Sequence, residues 1–165
     1  MKITTKELVT TGLMIAMAAV LAQFPIYGSI AFDALPAFLT AVMMGPVLGG
    51  LVGFIAHLLV AMFTGFPFSL PLHLLIAVLM FVSCFIYGKV RKSHNRYLAM
   101  ALGIVMNGPV SLALISIFAK ILGMPFSGIM MFSALLLPLL VGAMVNILVA
   151  DVVYGVIKEK IKIRI

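Results

Sequence analysis

Three histidines and four acids are all this chain offers for acid–base or metal chemistry: His57, His73 and His94, with Glu7, Asp33, Asp151 and Glu159. A zinc site draws its ligands from close spacings such as H-E-x-x-H, and these histidines stand too far apart in sequence to suggest one. The only Gly-Lys pair, Gly88-Lys89, has Ser83 where a phosphate-binding loop needs its first glycine and Val90 where it needs Ser or Thr. No catalytic residue, no metal and no cofactor is therefore assigned. If the protein moves something uphill, the fuel is burned on another chain. Cys84 stands alone inside an apolar stretch, so it supports no disulfide framework and reads as a small buried residue.

What remains is polar side chains in apolar surroundings: Gln23, His57, Asn107, Ser111, Ser116, Asn146 and Asp151, with Tyr27, Asp33 and His73 beside them. A charge at mid-depth in a bilayer costs about 3 kcal/mol by insertion scales, so each such group needs a partner or a purpose. Asp33 reads as the N-cap of a following helix, as an acceptor for ligand hydroxyl or N–H groups, or as both. His57 is an interhelical hydrogen-bonding group or a ligand contact. His73 follows Phe66, Phe68 and Pro71; an aromatic and proline-rich loop with one imidazole suits a lid over a flat heterocycle, and equally an interface-anchored turn. Asn107 precedes Gly108-Pro109, where the proline frees a backbone carbonyl and predicts a kink. Asn146 suits a substrate or a neighbouring helix, and Asp151, seven residues before Lys158, suits an ion pair with a cation. The candidate binding residues are thus Asp33, His57, Phe66, Phe68, His73, Asn107 and Asn146.

The elements that must position them are membrane helices. The chain is 65% hydrophobic and 9% charged, with a mean hydropathy of +1.33, which leaves too little polar surface for a soluble globule. A net charge of +7 raises the question of nucleic acid, but ten of the eleven Lys and Arg residues lie in three clusters that flank apolar runs. These are Lys2 and Lys6; Lys89, Arg91, Lys92 and Arg96; and Lys158, Lys160, Lys162 and Arg164. Cationic flanks stay on the cytoplasmic side, where anionic headgroups suit them. An even number of crossings then separates successive clusters. The 81 residues from Leu8 to Gly88 hold four short spans at roughly 20 residues each.

Proline and glycine punctuate the runs, and they predict helices at Leu8–Phe24, Leu35–Met44, Val47–Phe63, Leu70–Tyr87, Tyr97–Leu122 and Met130–Ile157. Lys2 and Lys6 before an apolar run ending Val20-Leu21-Ala22 look somewhat like a signal peptide; an uncleaved first span is the expectation. The second helix is too short to cross alone and must be sheltered by protein. The expected fold is all-α: one transmembrane domain over residues 1–165, six helices, both termini cytoplasmic. Pro25–Ala34, Thr64–Pro71 and Gly123–Gly128 form the outer face, with Lys120 snorkelling near the last of them. On the first helix Gly12 and Ala16, then Ala18 and Ala22, are four apart and make flat stripes for another helix.

Taken together, these features resemble the substrate-binding S components of energy-coupling factor transporters. The likeness covers essentially the whole chain: six helices, the small-xxx-small first helix, the loop Asp33-Ala34-Leu35-Pro36-Ala37 before a short second helix, and the turn Gly45-Pro46-Val47-Leu48-Gly49-Gly50. The resemblance implies a non-enzymatic subunit of the bacterial or archaeal plasma membrane that captures a vitamin-like molecule. It also implies a transmembrane coupling subunit and two cytoplasmic ATPases as partners, with Ala18 and Ala22, or the Gly12 and Ala16 frame, as the docking stripe. The run His57-Leu58-Leu59-Val60-Ala61-Met62-Phe63-Thr64-Gly65-Phe66-Pro67-Phe68, followed by Leu70-Pro71-Leu72-His73, is similar to the subset proposed to import α-ribazole, a cobalamin precursor. Two other classes stay open on sequence: a membrane scaffold protein of the cell envelope, and a membrane-embedded lipid-modifying enzyme. The latter would ordinarily show clustered acids.

Overall fold

The computed structural model describes residues 3–23, 25–27 and 30–163. Lys2, Phe24 and Arg164, which the sequence puts in the terminal basic clusters and at a helix end, lie outside the described residues, as do the side chains of Tyr27, Lys160 and Lys162. Helix α1 runs Thr5–Leu21 and is opened by a capping box: Glu7 N–H donates to Thr4 Oγ1 at 3.2 Å, and Thr4 N–H donates to the Glu7 carboxylate at 2.9 Å. A two-stranded ribbon, Pro25–Tyr27 with Ile30–Ala31, and a 3-10 turn at Phe32–Ala34 lead into α2, Leu35–Met43. Then come α3, Pro46–Phe63, and α4, Leu70–Ser93. Helix α5 covers Arg96–Ile121 and is interrupted by a π turn at Met106–Val110; α6 covers Gly128–Ile163.

Four of these, α3 to α6, are long and apolar enough to cross a membrane, while α1 at 17 residues and the apolar Phe32–Met43 stretch are shorter. Helices α4 and α6 run past the ends that hydropathy predicts, Tyr87 and Ile157, and reach Ser93 and Ile163. Their cationic tails continue the helix because Lys and Arg suit the negative end of the helix dipole, as Arg91 and Lys92 do in the last turn of α4. Hydropathy marks where the apolar stretch stops, not where the hydrogen-bonded ladder does.

The centre of the bundle is α2. Pro36 through Val42 are all buried, as a helix apolar on every side must be, and α1, α3, α4 and α6 pack around it. Small residues permit that approach. A Cβ at Gly49 would meet the Ala41 Cα and Cβ and its amide nitrogen, and one at Gly88 would meet the Ala41 carbonyl oxygen at 2.8 Å. Phe38 then fills the remaining space, edge-on to Tyr87 with centroids 5.4 Å apart.

The two ends of the bundle differ in charge. At one end the Gly45 turn lies beside the α4–α5 connection, with Lys92 Nζ 3.4 Å from where a Gly45 Cβ would stand. There Asp151 of α6, 1% exposed, accepts from Arg91 Nε at 2.7 Å and Tyr87 Oη at 3.3 Å, and is ion-paired with Arg96 Nη2 at 2.6 Å. The pairing expected for Asp151 is thus made with the cluster between α4 and α5. At the opposite end lie the ribbon, the Thr64–Ser69 loop and the turn before α6.

Gly49→Ala should lower stability by about 1–3 kcal/mol, because its Cβ collides with backbone that has nowhere to move. Gly155→Ala, whose Cβ meets nothing within 4 Å, should leave the thermal midpoint in detergent unchanged or slightly raised.

Candidate functional site

Away from the Asp151 cluster the helices part around a cavity of about 230 Å³. Each wall follows from helical spacing. On α6, Met131, Leu135, Leu139, Gly142, Ala143 and Asn146 recur every three or four residues and form one stripe; on α4, His73, Ile76, Leu79 and Met80 do the same. Asp33 and Ala34 close it from the 3-10 turn, His57 from α3, and Asn107, Ser111, Leu112 and Ile115 from α5.

Six of the seven binding candidates therefore meet in one space: Asp33, His57, Phe68, His73, Asn107 and Asn146. Phe66 does not line it. Its ring stands edge-on to His73 with centroids 5.7 Å apart, behind the imidazole. Among the lining groups that spacing alone did not single out, Ser111 and the apolar stripes of α4 and α6 carried a readable signal, their period; nothing in the sequence said which face of each helix would turn inward.

The two imidazoles are joined across sixteen residues of sequence. His57 Nε2 lies 3.1 Å from His73 Nδ1, and the rings meet edge to edge with centroids 5.3 Å apart and planes 28° apart. The connecting loop makes this possible by turning sharply: Gly65 has φ +75°, Phe66 +51° and Ser69 +101°. Left-handed backbone costs a non-glycine residue energy, and the loop holds it with bonds from Phe66 N–H to the Ala61 carbonyl, 2.8 Å, and from Ser69 N–H to the Phe66 carbonyl, 2.9 Å. Phe68 tilts against the other side of His73, at 6.3 Å.

Asn107 reaches the cavity from the π turn. Where the sequence predicts a kink, the helix at Pro109 makes one wide turn, in which Ser111 N–H reaches back to the Met106 carbonyl and Ser111 Oγ donates to the same oxygen at 2.6 Å. Gly108 lets α6 come close, its notional Cβ 3.6 Å from Leu140 Cα. On α6 Asn146 Nδ2 donates to the Gly142 carbonyl at 2.8 Å.

Asp33 is not the N-cap that the sequence suggests. It sits inside the 3-10 turn, and the capping position of α2 falls on Ala34 with no side-chain bond. Outside the spans, the carboxyl of this half-buried residue is pushed up to about 6 by burial, against the pull of the Asp33 and Ala34 backbone amides. No group of three His, Cys, Asp or Glu suited to a metal occurs among the described residues. The site thus offers a carboxyl, an imidazole pair and amides in an apolar chamber: a recognition surface.

On α1 the two small-residue frames separate. Ala18 is fully buried and Ala22 half-buried, whereas Gly12 and Ala16 lie on the exposed face with Val9, Leu13 and Val20. Ala18 itself is turned into its own bundle.

Residues 6–157 match the family described as ECF transporter, substrate-specific component. No curated protein matches the chain.

Whatever fills the cavity, the resting cost of Asp33 is measurable. An acid whose folded pKa is raised holds its proton more tightly folded than unfolded. It therefore weighs against the fold once pH climbs past the ordinary value of 3.8, and fully above about 6. Asp33→Asn should stabilise the ligand-free protein by about 1–3 kcal/mol at pH 7.5 and by little at pH 4, read from melting midpoints in detergent.

Proposed function

Since the chain belongs to the substrate-specific components of ECF transporters, we propose that this cavity is its substrate site and that it captures α-ribazole. The observation that carries the reading is the convergence of Asp33, His57, Phe68, His73, Asn107 and Asn146 on one mostly apolar chamber. Such a chamber, with few polar points, is how proteins enclose small ligands. The benzimidazole lies flat against Phe68 beside the imidazoles, and the ribose hydroxyls donate to Asp33 or pair with Asn107.

The basic end, carrying the Asp151 cluster, faces the cytoplasm, because Lys and Arg flanks are retained there. The cavity then opens from the outer face of a bacterial or archaeal plasma membrane. A transmembrane coupling subunit and two cytoplasmic ATPases supply the energy. The docking stripe is the exposed Gly12 and Ala16 face of α1, where a partner backbone can approach closely.

In detergent, calorimetry should detect α-ribazole binding, and Asp33→Ala and His57→Ala should each weaken it by about tenfold or more without unfolding the protein. Unchanged affinity in both variants rejects the site. Because ribose hydroxyls are better held by the ionised carboxylate, affinity should fall as pH drops through about 6, and Asp33→Asn should flatten that dependence. Gly12→Leu with Ala16→Leu should abolish copurification of the coupling subunit and ATPases while leaving α-ribazole affinity intact; retained assembly would move the docking face elsewhere.

A further inference from the structure

A hydrogen bond between two imidazole nitrogens admits one hydrogen, since only one of the pair can donate. His57 Nε2 and His73 Nδ1, 3.1 Å apart, form such a bond. In the neutral pair two arrangements satisfy it. Either His57 carries its hydrogen on Nε2 and donates, which leaves His73 with a bare Nδ1 and a hydrogen on Nε2; or His73 donates from Nδ1 and its Nε2 is bare. The far nitrogen of His73 is a donor in the first case and an acceptor in the second.

That far nitrogen is the informative atom. His73 is 5% exposed and lines the cavity, and its Nε2 is buried with no hydrogen-bond partner among the described residues. Its ring has three aromatic neighbours: His57 at the Nδ1 edge, Phe66 edge-on and Phe68 tilted. A polar atom buried without a partner is a standing cost, and in a wall of a ligand-sized chamber the group that removes it is a ligand atom.

We infer that His73 Nε2 is the polar atom that reads the ligand, and that His57 is a positioning residue that sets whether this nitrogen donates or accepts. The inference rests on the reading of the cavity as the substrate site. The ligand class that suits it is a flat aromatic heterocycle with a ring nitrogen or ring N–H at its edge, stacked against Phe68 with that edge turned to His73. An azole with a bare nitrogen selects the first arrangement, and one presenting N–H selects the second. The same site thereby accepts both forms of one ring, which a fixed donor such as an amide N–H would not.

Benzimidazole is the probe, because it carries both a bare nitrogen and an N–H and needs no ribose contacts. With 15N-labelled histidine in the detergent-solubilised full chain, nitrogens that bear hydrogen are separated from bare ones by chemical shift. The free protein should show a correlation across the His57 Nε2 to His73 Nδ1 bond. Adding benzimidazole should move His73 Nε2 far more than any nitrogen of His94. His73→Phe should weaken benzimidazole binding by about thirtyfold or more; His57→Phe by about tenfold, with His73 Nε2 and Nδ1 now both showing mixed hydrogen occupancy. His57→Gln, which can still hydrogen-bond His73, should recover part of the loss. A His73 Nε2 resonance that stays still under saturating benzimidazole, absent benzimidazole binding, or a His73→Phe variant that binds as well as the parent overturns the inference. Benzimidazole that binds through His73 while α-ribazole does not would sustain the inference and overturn the proposed substrate.

Discussion

A helix of nine residues rises only about 14 Å, less than half of a bilayer's apolar thickness, so α2 exists at membrane depth only because other protein covers Pro36 through Val42. Its end groups and side chains have no water to turn to. The rest of the bundle is arranged to supply that cover: α1, α3, α4 and α6 all touch it, and Gly49 and Gly88 bring two of them to within contact of its backbone. Gly53 shows how little slack there is, with Cys84 Sγ 3.2 Å from where its Cβ would be. The cavity opens where α2 ends and the 3-10 turn begins.

The two halves are stabilised by different means. In the basic half, the Asp151 carboxylate holds α4, the start of α5 and α6 together through Arg91, Arg96 and Tyr87. Arg96 is partly exposed and contributes little by itself, but a carboxylate with 1% exposure that lost its cations would leave a buried charge, which proteins rarely tolerate. In the other half, apolar contacts among Leu72, Leu79, Leu112, Ile115, Ala119 and Met131 support the cavity wall, and the connecting loops run on strained backbone at Phe66 and Ser69. One end is locked by charge, and the end that holds the cavity is built from turns.

Polar groups at the cavity repeat this division between satisfied and held in reserve. Ser111 and Asn146 donate to carbonyls of their own helices, at Met106 and Gly142, and so cost the fold little. Asp33 and His73 are kept in an environment that disfavours them, the one by burial of its carboxyl and the other by an unanswered nitrogen. Such sites persist because the surrounding packing over-determines them. Stability given up there is recovered when a complementary molecule fills the space.

Much of this was legible along the chain. Apolar runs between Gly and Pro located six helices to within a few residues at most ends, and clustered cations identified one end of the bundle. The isolation of His57, Asn107 and Asn146 in apolar sequence marked them as groups needing partners, because a bilayer offers none. Tertiary structure decided what one-dimensional spacing does not encode. It turned Ala18 inward and Gly12 outward on α1, although both frames have the same period, since only the neighbours of a helix fix its rotation. It put Asp33 inside a 3-10 turn and made a π turn at Pro109, since the ladder's choice among 3, 4 and 5 residue bonds depends on what presses against it. It joined His57 to His73 through a loop whose positive φ angles at Phe66 and Ser69 no propensity predicts, because local preference was overruled by the packing of α3 against α4.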